Sequence, residues 1–600
     1  MVTHEAPGGR ARRMTGQTTG LAGTGELARL AFRRDIALLP SCVIGLAALL
    51  ALTARDLRLL YPSAATRLSV ASSAGANPAL RLLLGRLDGT SVGAFLAARW
   101  GVWGGALAVL LTVLVVIRHT RADEEAGRLE LIGSAALGRQ APLTAALLPA
   151  VAANLAIAAL TCWWLPVQGL PLAGSAALAL AISGCGLVFA GLAAVGAQLA
   201  GRAQGARGLA IGALGAAFVL RGVGDAGPHS MSWMSWASPL GWVELTRAFG
   251  SGGERWWVLA LPLVAFAVLV AAAFALTARR DHSSALLPSR PGRPSAAGLL
   301  RGPFSLAWRL QRGQLTAWLA GYVFVFVAFG AAASGIGSIL GASVRLRYYL
   351  LHLGYQATVV DSFMSALMEL AALAAAAYAT AAVLRLRTEE TQNLADPVLT
   401  AAGRIRWGLS HVSVAVAGAG LLLVDAGLSA GLGYGLLTGS VSTEVPSLLA
   451  ASLAKLPAAL VLAALATALV GLLPWESVAL AWAAVALTAV IAVFGAALQW
   501  PAWLTDISPF TQTPRLPGGP VPAQPLLWLC GVAVVLTAAG LVGLQRRDIG
   551  DFGPTTRAVL VVRDRLAEYV RESRKLSEAG TAAGVVQAPV PLDRRHGDGS

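Results

Sequence analysis

The chain has 600 residues, 56% hydrophobic and only 13% charged, with a mean hydropathy of +0.67. Soluble domains carry about 25% charged residues, so this composition excludes a soluble globular protein and puts most of the chain in lipid. The net charge of +16 is not a nucleic-acid signal, because no aromatic–basic module accompanies it; arginines gathered between apolar runs are what the positive-inside bias produces.

The chain opens on a Gly/Thr/Arg-rich tail, 1–25, expected to be disordered. Arg12-Arg13 stands about 20 small or polar residues before the first apolar run, so neither a cleavable nor a twin-arginine signal is expected. Leu30-Ala-Phe32-Arg33-Arg34 then sets apolar residues against arginines, the pattern of a helix lying in the inner membrane interface. Twelve runs follow that are long enough to span: 36–54, 95–117, 141–165, 173–199, 208–222, 257–278, 316–334, 362–384, 410–433, 447–472, 477–498 and 525–544. With the N-terminus inside, the arginine-rich segments 118–140, 279–312 and 385–408 and the C-terminal tail are cytoplasmic.

Three landmarks recur in one order. A double glutamate follows the second run (Glu124, Glu125) and the eighth (Glu389, Glu390), and 390 − 125 = 265. Gly138-Arg139 and Gly403-Arg404 keep the same offset. Ser238-Pro239-Leu240 and Ser508-Pro509-Phe510 precede the sixth and twelfth runs, and Arg279-Arg280-Asp281 and Arg546-Arg547-Asp548 close them. Near-constant offsets mark a duplicated six-helix unit; six is even, so the two copies share one orientation. The expected fold is therefore an all-α polytopic membrane protein of about 12 transmembrane helices in two parallel six-helix repeats with cytoplasmic coupling helices. Its divisions are 1–25 tail, 26–280 first half, 281–305 Pro-rich linker, 306–548 second half and 549–600 cytoplasmic tail. A solvated helix is expected at 556–578.

Segment 120–139 is the strongest functional signal. Acids at Asp123, Glu124 and Glu125 favour the start of a helix, Leu129 and Ile132 fall on one face flanked by Arg128 and Glu130, and Gly138 suits a left-handed stop. A short amphipathic helix presenting apolar knobs and charge to the cytoplasm is what a soluble motor could push; a solvated loop is the plainer reading, and a second copy at the matching place weighs against it.

Enzyme chemistry is not expected. The two lysines, Lys455 and Lys575, follow Ala and Arg, so no Gly-Lys-Ser/Thr phosphate loop exists. No catalytic residues, metal ligands or cofactor site are expected: the seven histidines are scattered, and Cys42, Cys162, Cys185 and Cys530 all lie in apolar runs as small hydrophobes. Carboxylates inside a membrane are costly and functional candidates by default. Glu369 and Asp425 are thus candidates for the substrate path, as acids for a cationic drug or a proton, or else are hydrogen-bonded packing residues. Lys455 is expected to snorkel to the outer interface. Trp233, Trp236, Trp242, Trp256 and Trp257 read as an aromatic belt, with Ser238, Pro239, Trp242, Ser508 and Pro509 as candidates for an outer gate.

The Glu-Glu-x-Gly-Arg-Leu-Glu-Leu segment, followed by Gly-Arg, resembles the loop after the second helix of ABC-2-type permeases. Nearly the whole chain outside the tails is similar to the fused twelve-helix permeases of actinobacterial drug and polyketide-antibiotic exporters, the tetronasin-resistance type. Tyr61-Pro62-Ser63, Asn77-Pro78-Ala79-Leu80, Ser238-Pro-Leu-Gly-Trp242 and Pro514-Arg-Leu-Pro517 carry the finer likeness. The resemblance implies a bacterial plasma-membrane permease that moves hydrophobic or amphipathic compounds outward, with both termini cytoplasmic. It implies that 120–139 and 388–404 are coupling helices seated on two copies of a separate ABC ATPase, which would hold the ATP and Mg. It also implies a substrate path lined by the first, second and fifth helices of each half. The second copy departs from the pattern: Asn393-Leu394 or Gln392-Asn393 stands where Gly127-Arg128 stood, and Glu130 pairs with Asp396 only after a one-residue slip. Two rivals remain at this point: a drug–proton antiporter with Glu369 as proton carrier, and a non-transporting membrane scaffold bound to an ATPase.

Overall fold

The computed structural model describes residues 20–547 apart from 77, 79–80, 83–84, 129–137, 228, 280–294, 296–297, 299–300, 336–358, 495–499 and 518–522. Most of the linker, both outer parts of the tails, and Leu129, Glu130 and Ile132 therefore lie outside the described residues. Among the described residues all regular structure is helical, and eleven helices are long and apolar enough to cross a membrane.

The first six spans are Leu38–Leu60, Val92–His119, Ala141–Val167, Leu172–Leu199, Ala203–Ala226 and Ala260–Arg279. The seventh to ninth are Pro303–Ala333, Val359–Thr391 and Arg404–Thr438. The tenth is broken into Val441–Leu453 and Leu456–Leu472, the shorter eleventh is described over Ser477–Phe494, and the twelfth is Ala523–Arg546. These helices are apolar on all sides, because one side meets protein and the other lipid. Burial follows position: 83% of the fourth span's apolar window is inside the protein, against 17% for the sixth and twelfth.

The same neighbours recur in both halves. The second span packs on the third, fourth and fifth, as the eighth does on the ninth, tenth and eleventh; the fourth packs on the sixth as the tenth does on the twelfth. Small residues permit the closest of these approaches: a Cβ on Gly471 would collide with the backbone of Gly540. Each half has its own hydrophobic cluster, and Phe218 of the fifth span meets Phe324 of the seventh edge-on at 5.5 Å.

The halves differ where they begin. Thr24–Arg34 is a separate helix, and the chain turns at Asp35–Ala37 before the first span starts. Pro40, in that span's first turn, has no N–H to give the carbonyl of Ile36 and so favours a break there, at a position where a helix start tolerates it. In the second half Thr316 occupies the place of Pro40, and a single helix runs unbroken from Pro303 to Ala333. The interface helix of the first half packs along the third span, its start pinned by Gly138 N–H to Ala22 O and Gln140 N–H to Gly20 O, both 2.9 Å.

Candidate functional site

The double glutamates occupy the ends of the second and eighth spans; Glu389 and Glu390 are buried, whereas Glu124 is half-buried and Glu125 exposed. After His119 the backbone breaks at Thr120 and makes a short helix, Arg121–Glu125, with Arg121 and Asp123 buried. Arg121 donates to Glu124 Oε2 at 2.8 Å and to Gly201 O at 2.5 Å. Glu125 accepts the N–H of Ala203 at 3.0 Å, so it satisfies the first free amide of the fifth span. Gly127 then takes φ +69°, its N–H bound to Glu124 O, and Arg128 reaches back to Asp123 Oδ1 at 2.8 Å.

Asp123 is the hub of this first brace. Arg34 of the interface helix donates to its Oδ2 at 2.6 Å. His119 stands between two acids: its Nε2 donates to Asp35 Oδ2 at 2.6 Å, and its Nδ1 is 3.9 Å from Asp123 Oδ2. Arg118 also holds Asp35, at 2.9 Å. The turn after the interface helix, the end of the second span and the short helix Arg121–Glu125 are thereby tied at one buried point. A cavity of about 60 Å³ lies beside it, lined by Arg34, His119, Asp123 and Arg128 with Leu30 and Ala146.

In the second half the eighth span simply runs on to Thr391, and both acids are buried inside it. Glu389 accepts from Arg385 Nε at 3.1 Å, Trp407 Nε1 at 3.2 Å and His411 Nε2 at 3.2 Å. Gln311 donates to Nδ1 of His411 at 3.0 Å, which leaves that ring's proton on the side of Glu389. Glu390 receives both terminal nitrogens of Arg547, at 2.5 and 2.8 Å, and Arg387 at 3.0 Å; the Arg387 guanidinium also stacks on Trp475. Each half therefore has a buried histidine joining the entry helix to the acid beyond the span, yet His119 comes from the second span and His411 from the ninth.

The remaining residues of the segments have distinct places. Asn393, at φ +56°, ends the eighth span, with its N–H on Glu390 O and that of Leu394 on Glu389 O. Asn393 is thus the counterpart of Gly127, since Asn is the side-chain-bearing residue that best tolerates this conformation, and Leu394 falls opposite Arg128. Leu394 is 59% exposed, Arg128 56%, and Asp396 begins an exposed helix, Asp396–Ala402. Gly403, at φ +74°, turns the chain into the ninth span. Arg139 donates to Thr277 O at 3.1 Å, and Arg404 to Gln545 O and Arg547 O at 2.9 and 2.7 Å. The repeated Gly-Arg thus caps the carbonyl end of the sixth and twelfth spans.

The intramembrane and outer candidates lie elsewhere and have separate partners. Asp425 accepts from Ser429 at 3.0 Å. Glu369 is 3.9 Å from Lys455 Nζ. Lys455 does not snorkel: it is 1% exposed, at the bend of the tenth span, and donates to Thr513 Oγ1 at 3.3 Å. The outer Ser238 and Ser508 are fully buried caps, accepting N–H bonds from Gly241 and Phe510, with Pro239 and Pro509 opening the helical turns they cap. Trp242 Nε1 donates to Trp236 O, and Trp236 stacks on Trp257 at 5.5 Å. Beneath them Arg221, fully buried, binds Glu244 at 2.9 Å and lies 3.7 Å from Asp225. Burial pushes the Glu244 carboxyl well above its usual range; Arg221 opposes this and Asp225 adds to it.

Sequence reasoning missed Asp35, His119, Gln311, Trp407 and His411, and marked Arg547 only within a repeated Arg-Arg-Asp landmark, not as a partner of Glu390. Their only common property is a meeting place in three dimensions, and no spacing in the chain announces it. Among the described residues no group of three or more His, Cys, Asp or Glu could hold a metal.

The family model for the C-terminal domain of the multidrug efflux system permease Rv1217c matches residues 300–545. The chain is 37% identical over 533 residues to the multidrug efflux system permease protein Rv1217c of Mycobacterium tuberculosis, an alignment covering 88% of this chain and 96% of that protein. Both matches name a permease of an efflux system, and neither favours a proton antiporter.

Proposed function

Since the chain belongs to the Rv1217c family of multidrug efflux permeases, we propose that it is the membrane subunit of an exporter driven by two copies of a separate ABC ATPase. The partner would hold ATP and Mg, and this chain would bind no cofactor of its own. Both termini are cytoplasmic in this reading, in a bacterial plasma membrane. The compounds moved are hydrophobic or amphipathic and drug-like.

The observation that carries the reading is the pair of braces. At each, an acid just past a span is bonded to residues of other helices, and the turn beyond it is exposed. A push on such a turn moves the whole half rather than a loop, because packed interiors transmit displacement instead of absorbing it. The glutamates are then the anchors of the lever, and Arg128, Leu394 and Asp396 are its working surface.

The test is reconstitution of the permease with its ATPase. Leu394→Asp and Asp396→Lys, both at exposed sites, should leave folding intact while lowering substrate-stimulated ATP hydrolysis and export at least tenfold, the loss expected when the charge of an interface is changed. Export driven by a pH gradient alone, with no ATPase present, would refute the proposal; wild-type hydrolysis and export in both variants would refute the assignment of the surface.

A further inference from the structure

The broken start of the first half opens a trough. It has a volume of about 520 Å³ and runs between the interface helix, the first span and the third span. Its walls are Ile36, Leu39, Val43 and Ile44 on one side and Ala156 and Leu160 on the other. Among the described residues nothing covers it: Ile36 is 73% exposed and Ile44 52%.

One end of this apolar trough is charged. Arg29 and Arg33 lie one helical turn apart on the exposed face, with Cβ atoms about 5–6 Å from each other. Among the described residues neither has an ion-pair partner. The carboxylate at that end, Asp35, is already taken by Arg118 and His119 and does not neutralise them. Along the third span the trough runs from Ala152 to Leu160, eight residues of continuous helix or roughly 12 Å, which is most of one leaflet of a hydrocarbon core about 30 Å thick. Two guanidiniums without an ion-pair partner at the end of an apolar channel between membrane spans match a phosphate with an acyl chain hanging from it. An apolar compound would use the trough but leave the arginines without a partner, and a soluble anion would use the arginines but not the trough.

We propose that this trough is a binding site for one anionic phospholipid, with the phosphate between Arg29 and Arg33 and one acyl chain along the first and third spans. Assigning the lipid to the inner leaflet rests on the cytoplasmic orientation proposed above; the binding itself does not. The equivalent stretch of the second half departs from this arrangement in two ways. Ser305 stands where Arg29 would be, and the unbroken helix Pro303–Ala333 opens no turn for the trough.

Native mass spectrometry of the full-length chain in detergent, titrated with phosphatidylglycerol or phosphatidylcholine of the same acyl composition, tests this directly. The wild type should retain one phosphatidylglycerol in preference to phosphatidylcholine. Arg29→Ala with Arg33→Ala should weaken phosphatidylglycerol about tenfold, the loss expected for a charge-assisted clamp, and leave phosphatidylcholine unchanged. Ala156→Phe, which fills the trough with both arginines intact, should weaken phosphatidylglycerol as well. Arg309→Ala with Arg312→Ala, in the second half, should leave retention at the wild-type level. Equal loss from both double variants would reduce the effect to general positive charge. Equal retention of the two lipids by the wild type, or no effect of Ala156→Phe, would likewise overturn the site.

Discussion

In the first half the acids beyond the second span sit on a short separate helix, with Glu125 exposed and bonded to a single backbone amide. In the second, Glu389 and Glu390 are buried within the eighth span, where three groups and two arginines respectively hold them. The two halves thus secure the same point by different means. In both halves a buried histidine and an acid at the end of a span stand beside an exposed turn, but the histidine comes from the second span in one half and from the ninth in the other. The second copy, which has lost Gly127-Arg128, is the more deeply anchored of the two.

The sharpest way to break this comparison is to remove one anchoring charge from each side. Glu390→Gln leaves Arg387 and Arg547 facing a neutral group in a buried place and should cost about 3–5 kcal/mol, the usual loss on breaking a buried pair. Glu125→Gln keeps an oxygen for the Ala203 amide and should cost about 1 kcal/mol or less. Thermal unfolding of the purified permease reads both, and equal losses would mean that the two anchors are alike after all.

The histidines give the next largest effect. His411→Ala strips Gln311 of its bond and Glu389 of one of three, and should cost about 1–3 kcal/mol. His119→Ala should cost less, because Arg118 remains on Asp35, and Arg34 and Arg128 remain on Asp123. If His119→Ala proves the more damaging in the same melting experiment, the first brace depends on its histidine more than its spare bonds suggest.

A smaller difference separates the two stops. Gly127→Ala places a Cβ in a left-handed conformation and should cost about 1–2 kcal/mol, whereas Asn393→Gly should change stability by a few tenths. A penalty for Asn393→Gly as large as that for Gly127→Ala would show that the Asn393 side chain does something besides tolerate the turn.

The smallest effect is at the opposite end of the spans, where the first half buries Glu244 with Arg221 and the second buries Lys455 near Glu369. Because burial raises Glu244 above its ordinary 4.5, stability is unaffected below that pH. It falls as pH rises from there through the folded-state value, since the native form holds the proton that the unfolded chain has released. Glu244→Gln mimics the protonated state, so its melting temperature should decline less than the wild type's over that range; parallel pH profiles would remove Glu244 from the account.

Much of this was legible in the chain, and for a definable reason. Lipid demands long apolar helices with satisfied backbones, so the span pattern follows from hydrophobicity alone, and the expected boundaries fall within or close to the helices that form. The fixed offsets marked equivalent places, and Gly138-Arg139 and Gly403-Arg404 do make equivalent bonds to the ends of the sixth and twelfth spans. Orientation of side chains was beyond reach. The same double glutamate reads as a solvated charge cluster when only its neighbours in sequence are considered, and its partners include Ala203, Trp407, His411 and Arg547, all from outside the spans that carry it. Lys455 carries the same lesson, since a lone lysine near a span's end looks like a snorkelling anchor until the Thr513 hydroxyl is placed beside it. Composition and periodicity determine where the chain enters and leaves the membrane, because each residue's transfer between lipid and water is its own affair. Which charges face each other is decided only by packing, because a salt bridge depends on two distant residues arriving at one point.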